Sequence, residues 1–285
     1  MKRRIALIFL EQDRSAKSTR YMLSAYSKYW EELGFQTIHV FGISKFVDAE
    51  IAILNIDLSV VPDAYINFAN LYPIALNANV RDIRKSVHST LRIKPNERFS
   101  GPVIVKTNLN HFGMPELKNQ SRMPRLRVTV DRYLKHFRSQ KTRIQQSYAV
   151  YNSLDEVPAW TFEDKDLIIE KFIPEREGSL YCIRTSLFFG DRSHDFLLKS
   201  HHPIVKSDNS ISIEEVDTHP DIIKLRNTID LAFGKLDYVV HKGILHVFDI
   251  NKTPGLGSTR ANPTVEKMRR YRAEGIFSFL DTSAD

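Results

Sequence analysis

Cysteine occurs once in the 285 residues, at Cys182, so no disulfide can form within the chain, and a reducing cytoplasmic setting is the expectation. No apolar run approaches the roughly 20 residues of a membrane helix, and the opening MKRRIALIFLEQDRS is too short in apolar residues for a secretion signal. No membrane partner is expected. Walker A and GxGxxG phosphate loops are absent, as are Cys/His zinc spacings, internal repeats, low-complexity tracts and heptads. His201 and His202 are adjacent and on a strand would face opposite ways, so one shared ion does not fit them. What is present suits a folded protein: 42% hydrophobic against 26% charged residues leaves enough apolar side chain to offset the entropy of ordering. Lysine and arginine number 41 against 34 acids, a formal charge of +7 that points to an anionic partner without choosing one. Much of that excess lies in residues 118–143, where nine basic residues face the single acid Asp131.

The order of apolar patterns sets the architecture. RIALIF, a helical spacing through Tyr21, Ala25, Tyr29 and Leu33 that ends at Gly34, and then FQTIHVFG read as a βαβ unit. A third strand over Ile51 to Ser59, a helix after Pro62 and a short strand at PIALN complete an open α/β domain over residues 1–83. Beyond Arg84 regular βα alternation stops. VIVKT, LIIEKF, YCIRTSLFF, KLDYVV and ILHVFDIN read as strands, with a hairpin at His241-Lys242-Gly243 and a helix after Pro220. The expected division is 1–83, 84–173 and 174–285.

Chemistry concentrates in the last hairpin. Asp249 and Asn251, two apart on a strand, share a face, and the hairpin can bring Asp237 beside them. Two carboxylates and a carboxamide make an oxygen-rich site suited to magnesium. The alternative is that Asp249 and Asn251 only cap the turn at KTPG; Asp237 and the apolar flanks favour the metal. Lys106 leaves an apolar strand, either to snorkel into water or to present a fixed cation to phosphate; Lys85 poses the same question, with a surface lysine as its simpler reading. In LIIEKFIPEREGS, Glu170 and Phe172 share a face, and the strand edge leaving at Pro174 offers backbone groups to a base, with Glu175 and Glu177 close behind as acceptors for ribose hydroxyls. Cys182, in an apolar strand, reads as a buried thiol.

A small α/β domain, a lysine-ended strand, an apolar strand running into acids, and then Asp, Asp-x-Asn and Pro-Gly in that order resemble the ATP-grasp superfamily, most closely over DINKTPG. The resemblance implies ATP held between two α+β subdomains, with magnesium, or manganese in its place, bridging phosphates to carboxylates. It implies Lys106 and Lys85 as the nucleotide lysines, Glu170, Lys171, Phe172 and Ile173 as the adenine hinge, and Glu177 or Glu175 at the ribose. Asp237, Asp249 and Asn251 match the metal ligands; Lys235 and Arg184 are the candidate cations over the reacting acyl group; Gly255, Ser258 and Arg260 fall near the acceptor. The implied activity is a ligase that converts a carboxylate to an acyl phosphate and joins it to an amine, with a homodimer left open. Two departures stand out. The loop after Lys106 holds only Gly113, and the basic stretch 118–143 has no counterpart in the pattern; it reads as a solvated helix or as a dock for an anion. Two rivals remain: a phosphotransferase on the same site, and a basic adaptor for RNA or protein. The adaptor is disfavoured because Tyr133 and Phe137 are spaced as a packed helix face. Asp57, Ser59 and Asn77, at strand ends of the first domain, are candidates for selecting substrate.

Overall fold

Parallel strands covered on both faces need continuous apolar runs, and RIALIF and IAIL supply them. In the computed structural model, which describes residues 2–14, 20–94, 96–116, 148–257 and 262–280, β1 (Arg4–Phe9), β2 (Gln36–Phe41), β3 (Ile51–Leu54) and β4 (Ile74–Leu76) form a parallel sheet in the order β2-β1-β3-β4. One face packs on α1 (Met22–Glu32), the other near α2 (Asp63–Ala69). The basic stretch 118–143, Ser258 and Arg260 lie outside the described residues. The third strand stops at Leu54, earlier than its apolar run suggested. A turn follows, with the Leu58 N–H bonded to the Ile56 carbonyl, and it carries Asp57 out of the sheet.

The next two sheets are antiparallel. After α3 (Lys85–His88), the strands β5 (Val103–Thr107), β6 (Ala149–Tyr151) and β7 (Leu167–Lys171) order as β6-β5-β7, and α4 (Trp160–Glu163) precedes β7. The larger sheet runs β11-β10-β9-β12-β13, from β9 (Leu180–Phe189), β10 (Arg192–Ser200), β11 (Ser212–Val216), β12 (Phe233–His241) and β13 (Ile244–Asn251), with β8 (Glu175–Glu177) paired to β9. β12 and β13 are joined by the expected hairpin. Lys242 and Gly243 are both left-handed (φ 51° and 77°), the backbone that a tight two-residue turn between twisted strands requires. Helix α5 (Pro220–Thr228) covers one face of this sheet, where Phe188, Leu236, Tyr238, Val247 and Ile250 are buried.

Two elements that the apolar pattern did not announce lock the ends together. β10 pairs with β9 along its whole length, and α6 (Pro263–Ala273) returns to pack on α1 and β10. Asn262 caps α6, its Oδ1 accepting from the Thr264 and Val265 N–H groups, with Pro263 in the first turn. Trp30 of α1 is fully buried and donates its indole N–H to the Ala273 carbonyl at 2.8 Å. The first core therefore mixes β1 and α1 with Phe189, Phe233, Ala273 and Ile276, each large side chain contributing about 1.5–3 kcal/mol by burial. Asn77 belongs to this lock and not to substrate selection. Buried and left-handed (φ 60°), it donates to the Phe233 carbonyl at 2.8 Å and accepts from the Ala232 N–H at 2.9 Å. No described helix is long and apolar enough to cross a membrane.

Candidate active site

The face of the large sheet opposite α5 carries polar side chains in rows, because residues paired across antiparallel strands share a face. One row is Asn251, Lys235, Leu187 and His194; the next is Asp249, Asp237, Thr185 and Phe196. Asp237 is held by the Lys235 ammonium at 2.8 Å and by the Thr185 hydroxyl at 2.6 Å. Asp249 faces Lys85, whose Nζ lies 2.9 Å from its Oδ1. Burial alone would raise the Asp249 pKa, but Lys85, Lys235 and Lys106 together hold it below the ordinary carboxylate range. Burial would likewise lower Lys85, yet Asp249 keeps it above the usual lysine value; Lys235 is held up in the same way by Asp237. Asn251 accepts from the Thr253 N–H at 2.8 Å, so it caps the turn as well as facing the cleft. Gly234 permits this packing: a Cβ there would come within 2.8 Å of the Asn251 carbonyl oxygen.

Lys85 is the largest surprise among the predicted cations. It is 4% exposed, tied also to the Leu109 carbonyl at 3.3 Å, and the surface reading is wrong. Lys106 sits across β5 and β7 from Glu170, Nζ to Oε2 2.6 Å, and over the Phe248 ring at 4.3 Å. Glu170 is fully buried, and its Oε1 accepts no hydrogen bond among the described residues.

Two adjoining cavities meet at Lys85, Asp237 and Asp249. The smaller, about 210 Å³, lies between the two antiparallel sheets and is lined by Ile104, Lys106, Glu170, Lys171, Phe172, Ile173 and Phe248 among others. The larger, about 1210 Å³, opens toward the first domain and takes in Lys235, Asn251, Asp57, Gly255 and Arg20. Tyr148 lines both; burial pushes its hydroxyl up to about 12.

Three expectations need correction. Arg184, one residue before Thr185, projects from the other face of β9 and is bound to Glu175 through Nε and Nη2 at 2.8–3.1 Å; neither lines either cavity. Glu175 also accepts from the Val240 N–H, while Glu177 pairs with Lys199 at 2.8 Å, so neither acid is directed to a ribose. The edge of β7 is not free. Residues 91–93 run beside it, with the Lys171 N–H bonded to the Leu91 carbonyl and the Ile93 N–H to the Ile169 carbonyl, and the Phe172 N–H bonds to the Pro102 carbonyl. Ser59 serves the loop after β5, accepting from the Asn110 N–H at 2.8 Å. That loop turns on three successive left-handed residues, His111, Phe112 and Gly113, two of which strain without glycine.

Arg20, Tyr21 and Thr253, which sequence reasoning passed over as site residues, join the expected Asp57 and Gly255 at the rim. Tyr21 bridges to Gly255, with the Met22 N–H on the Pro254 carbonyl and the Leu256 N–H on the Arg20 carbonyl, so the Pro-Gly turn is stitched to the start of α1. Asp57 accepts from the Thr253 hydroxyl at 3.0 Å and lies 3.4 Å from Arg20.

No protein-family model and no curated protein matches the chain in sequence. Solved structures do match in shape. A RimK domain ATP-grasp protein from Sphaerobacter thermophilus superposes with a TM-score of 0.51 at 12% identity, over 97% of this chain and 99% of that one. The fold is ATP-grasp. The VanG D-Ala:D-Ser ligase from Enterococcus faecalis aligns with a TM-score of 0.50 at 11% identity, over 98% of this chain and all of its own length (100%). In the ATP-grasp arrangement found here, the small cavity occupies the space between the two antiparallel sheets, and the polar rows of β12 and β13 close one end of it.

Proposed function

We propose that the chain is a magnesium- and ATP-dependent ligase that activates a carboxylate as an acyl phosphate and couples it to an amine. The observation that supports this best is the meeting of the two cavities at Asp237 and Asp249, each acid already facing a lysine ammonium. The smaller, mostly apolar cavity suits a purine, and the unpaired Oε1 of Glu170 on its wall suits an exocyclic amine donor. Lys85 and Lys106 are fixed cations at its polar end, suited to phosphate oxygens.

Asp237, Asp249 and Asn251 present only oxygen ligands on adjacent strands, and among the described residues no cluster of three His, Cys, Asp or Glu competes with them. This donor set fits a hard divalent cation, which supplies charge neutralisation on the phosphates when bound. The protein's own part is positioning. Lys235 stays protonated beside Asp237 and can hold the developing charge on the transferring phosphoryl group. The substrate's carboxylate oxygen attacks the γ-phosphorus, ADP leaves, and the amine nitrogen then displaces phosphate from the acyl carbon.

The test supplies ATP, magnesium, hydroxylamine and an 18O-labelled acid. Label carried into released phosphate together with a hydroxamate supports the ligase; a stable phosphorylated product without hydroxamate would instead make the enzyme a phosphotransferase.

A further inference from the structure

A buried guanidinium without a carboxylate partner is costly, since removal from water is left uncompensated. Arg272 of α6 is such a group: it is 3% exposed, and among the described residues it forms no ion pair. Its Nε donates to the Tyr26 hydroxyl at 3.0 Å and its Nη1 to His194 Nδ1 at 3.1 Å, both neutral acceptors. Burial and the nearby Arg272 keep the His194 pKa below its ordinary value, so the imidazole accepts and does not compete as a cation. Nη2 has no hydrogen bond among the described residues, and the residue lines the larger cavity. Arg269, one turn earlier, is different, being occupied by Glu266 and the Leu256 carbonyl.

The sheet beneath gives the spacing. Lys235, Leu187 and His194 are consecutive cross-strand neighbours on β12, β9 and β10. The backbones of Lys235 and His194 are therefore about 10 Å apart, two strand spacings, with the Arg272 guanidinium bonded to the far one. Between them the floor is Leu187, with Phe196 in the adjoining row, and both line the cavity.

We infer that Arg272 is the subsite for a second, remote carboxylate on the acid substrate, so that the enzyme takes long dicarboxylates whose apolar middle lies over Leu187 and Phe196. This rests on the ligase reading, and the two can fail separately. Adipate, pimelate and suberate are compared with hexanoate, heptanoate and octanoate by calorimetric titration and by hydroxamate formation, and Mg-ATP is titrated on its own. The dicarboxylates should bind about tenfold or more tighter than their length-matched monocarboxylates, the gain expected of a hydrogen bond to a charged group. In Arg272→Gln the ratio should fall to about one, and in Arg272→Lys it should partly recover. If Arg272→Gln does not fold, the wild-type ratio decides alone. Equal binding of the two series, or a preference that survives Arg272→Gln, overturns the subsite while Mg-ATP binding leaves the ligase reading standing. A preference without any nucleotide binding supports the subsite and removes the ligase.

Discussion

The two faces of the large sheet handle buried acid in opposite ways. On the α5 face, Asp195 is 1% exposed and is satisfied by three neutral hydroxyls, those of Ser186 and Thr218 on Oδ1 and of Tyr238 on Oδ2, each at 2.8 Å. On the cleft face, Asp237 and Asp249 rely on lysine ammoniums. Hydroxyl donors have no charge to exchange and make Asp195 a fixed structural device. Lysine partners can be drawn toward incoming phosphates, which leaves the acids available to a cation. A carboxylate's partners, more than its burial, separate scaffold from chemistry in this sheet.

The strongest break of that comparison is Asp249→Asn, which keeps the shape and an acceptor for Lys85. ADP release should fall about a thousandfold (~4 kcal/mol), far more than the unfolding transition moves, measured by a coupled assay and by thermal melting. Asp249→Ala is a poorer probe, because it leaves Lys85 buried and unpaired at a cost of about 3–5 kcal/mol in stability.

Lys252 sharpens the contrast from the other side. It is 1% exposed, its Nζ has no hydrogen bond among the described residues, and burial lowers its pKa to about 8 against the pull of Asp82, Asp57 and Glu116. The unfolded chain then binds the extra proton between that value and the ordinary lysine range, so stability should rise with pH across this window, by up to ~3 kcal/mol. Urea melts from pH 7 to 10 should show the rise in the wild type and lose it in Lys252→Met.

On the scaffold face, Tyr238→Phe removes one of the three donors to Asp195. It should cost about 1–3 kcal/mol in urea unfolding, with turnover retained. The smallest effect is the acid limb of the Lys85–Asp249 pair. Asp249 has a depressed folded pKa, so its contribution is present above the unfolded value and is lost as pH falls through the folded one. The stability difference between wild type and Asp249→Asn should therefore shrink as pH drops below about 4.

Much of this was legible in sequence where one face was clearly apolar. The β12–β13 hairpin could be read because apolar and polar residues alternate and the Lys-Gly turn closes it, which put Asp237, Asp249 and Asn251 together in advance. The same logic failed on β9. In LYCIRTSLFF both faces are largely covered, so alternation cannot say which side faces the cleft, and the choice fell on Arg184 one residue from Thr185. Lys85 looked like a surface lysine because its burial comes from Asp249 and the loop after β5, distant in sequence. Arg272 was passed over for a similar reason: EKMRRYRAEG has few apolar residues to announce a packed helix, and the burial of Arg272 comes from α6 lying against α1 and β10. The edge of β7 reads as free in sequence because nothing in residues 91–93 marks them as its neighbour.

Calorimetric titration of Mg-ATP tests the account most directly. Wild-type protein should take up one nucleotide, with the heat lost on chelation of magnesium and lost again when Asp237 and Asp249 are both replaced by asparagine. Absence of heat from folded wild-type protein, or binding indifferent to magnesium and to those two acids, would contradict it.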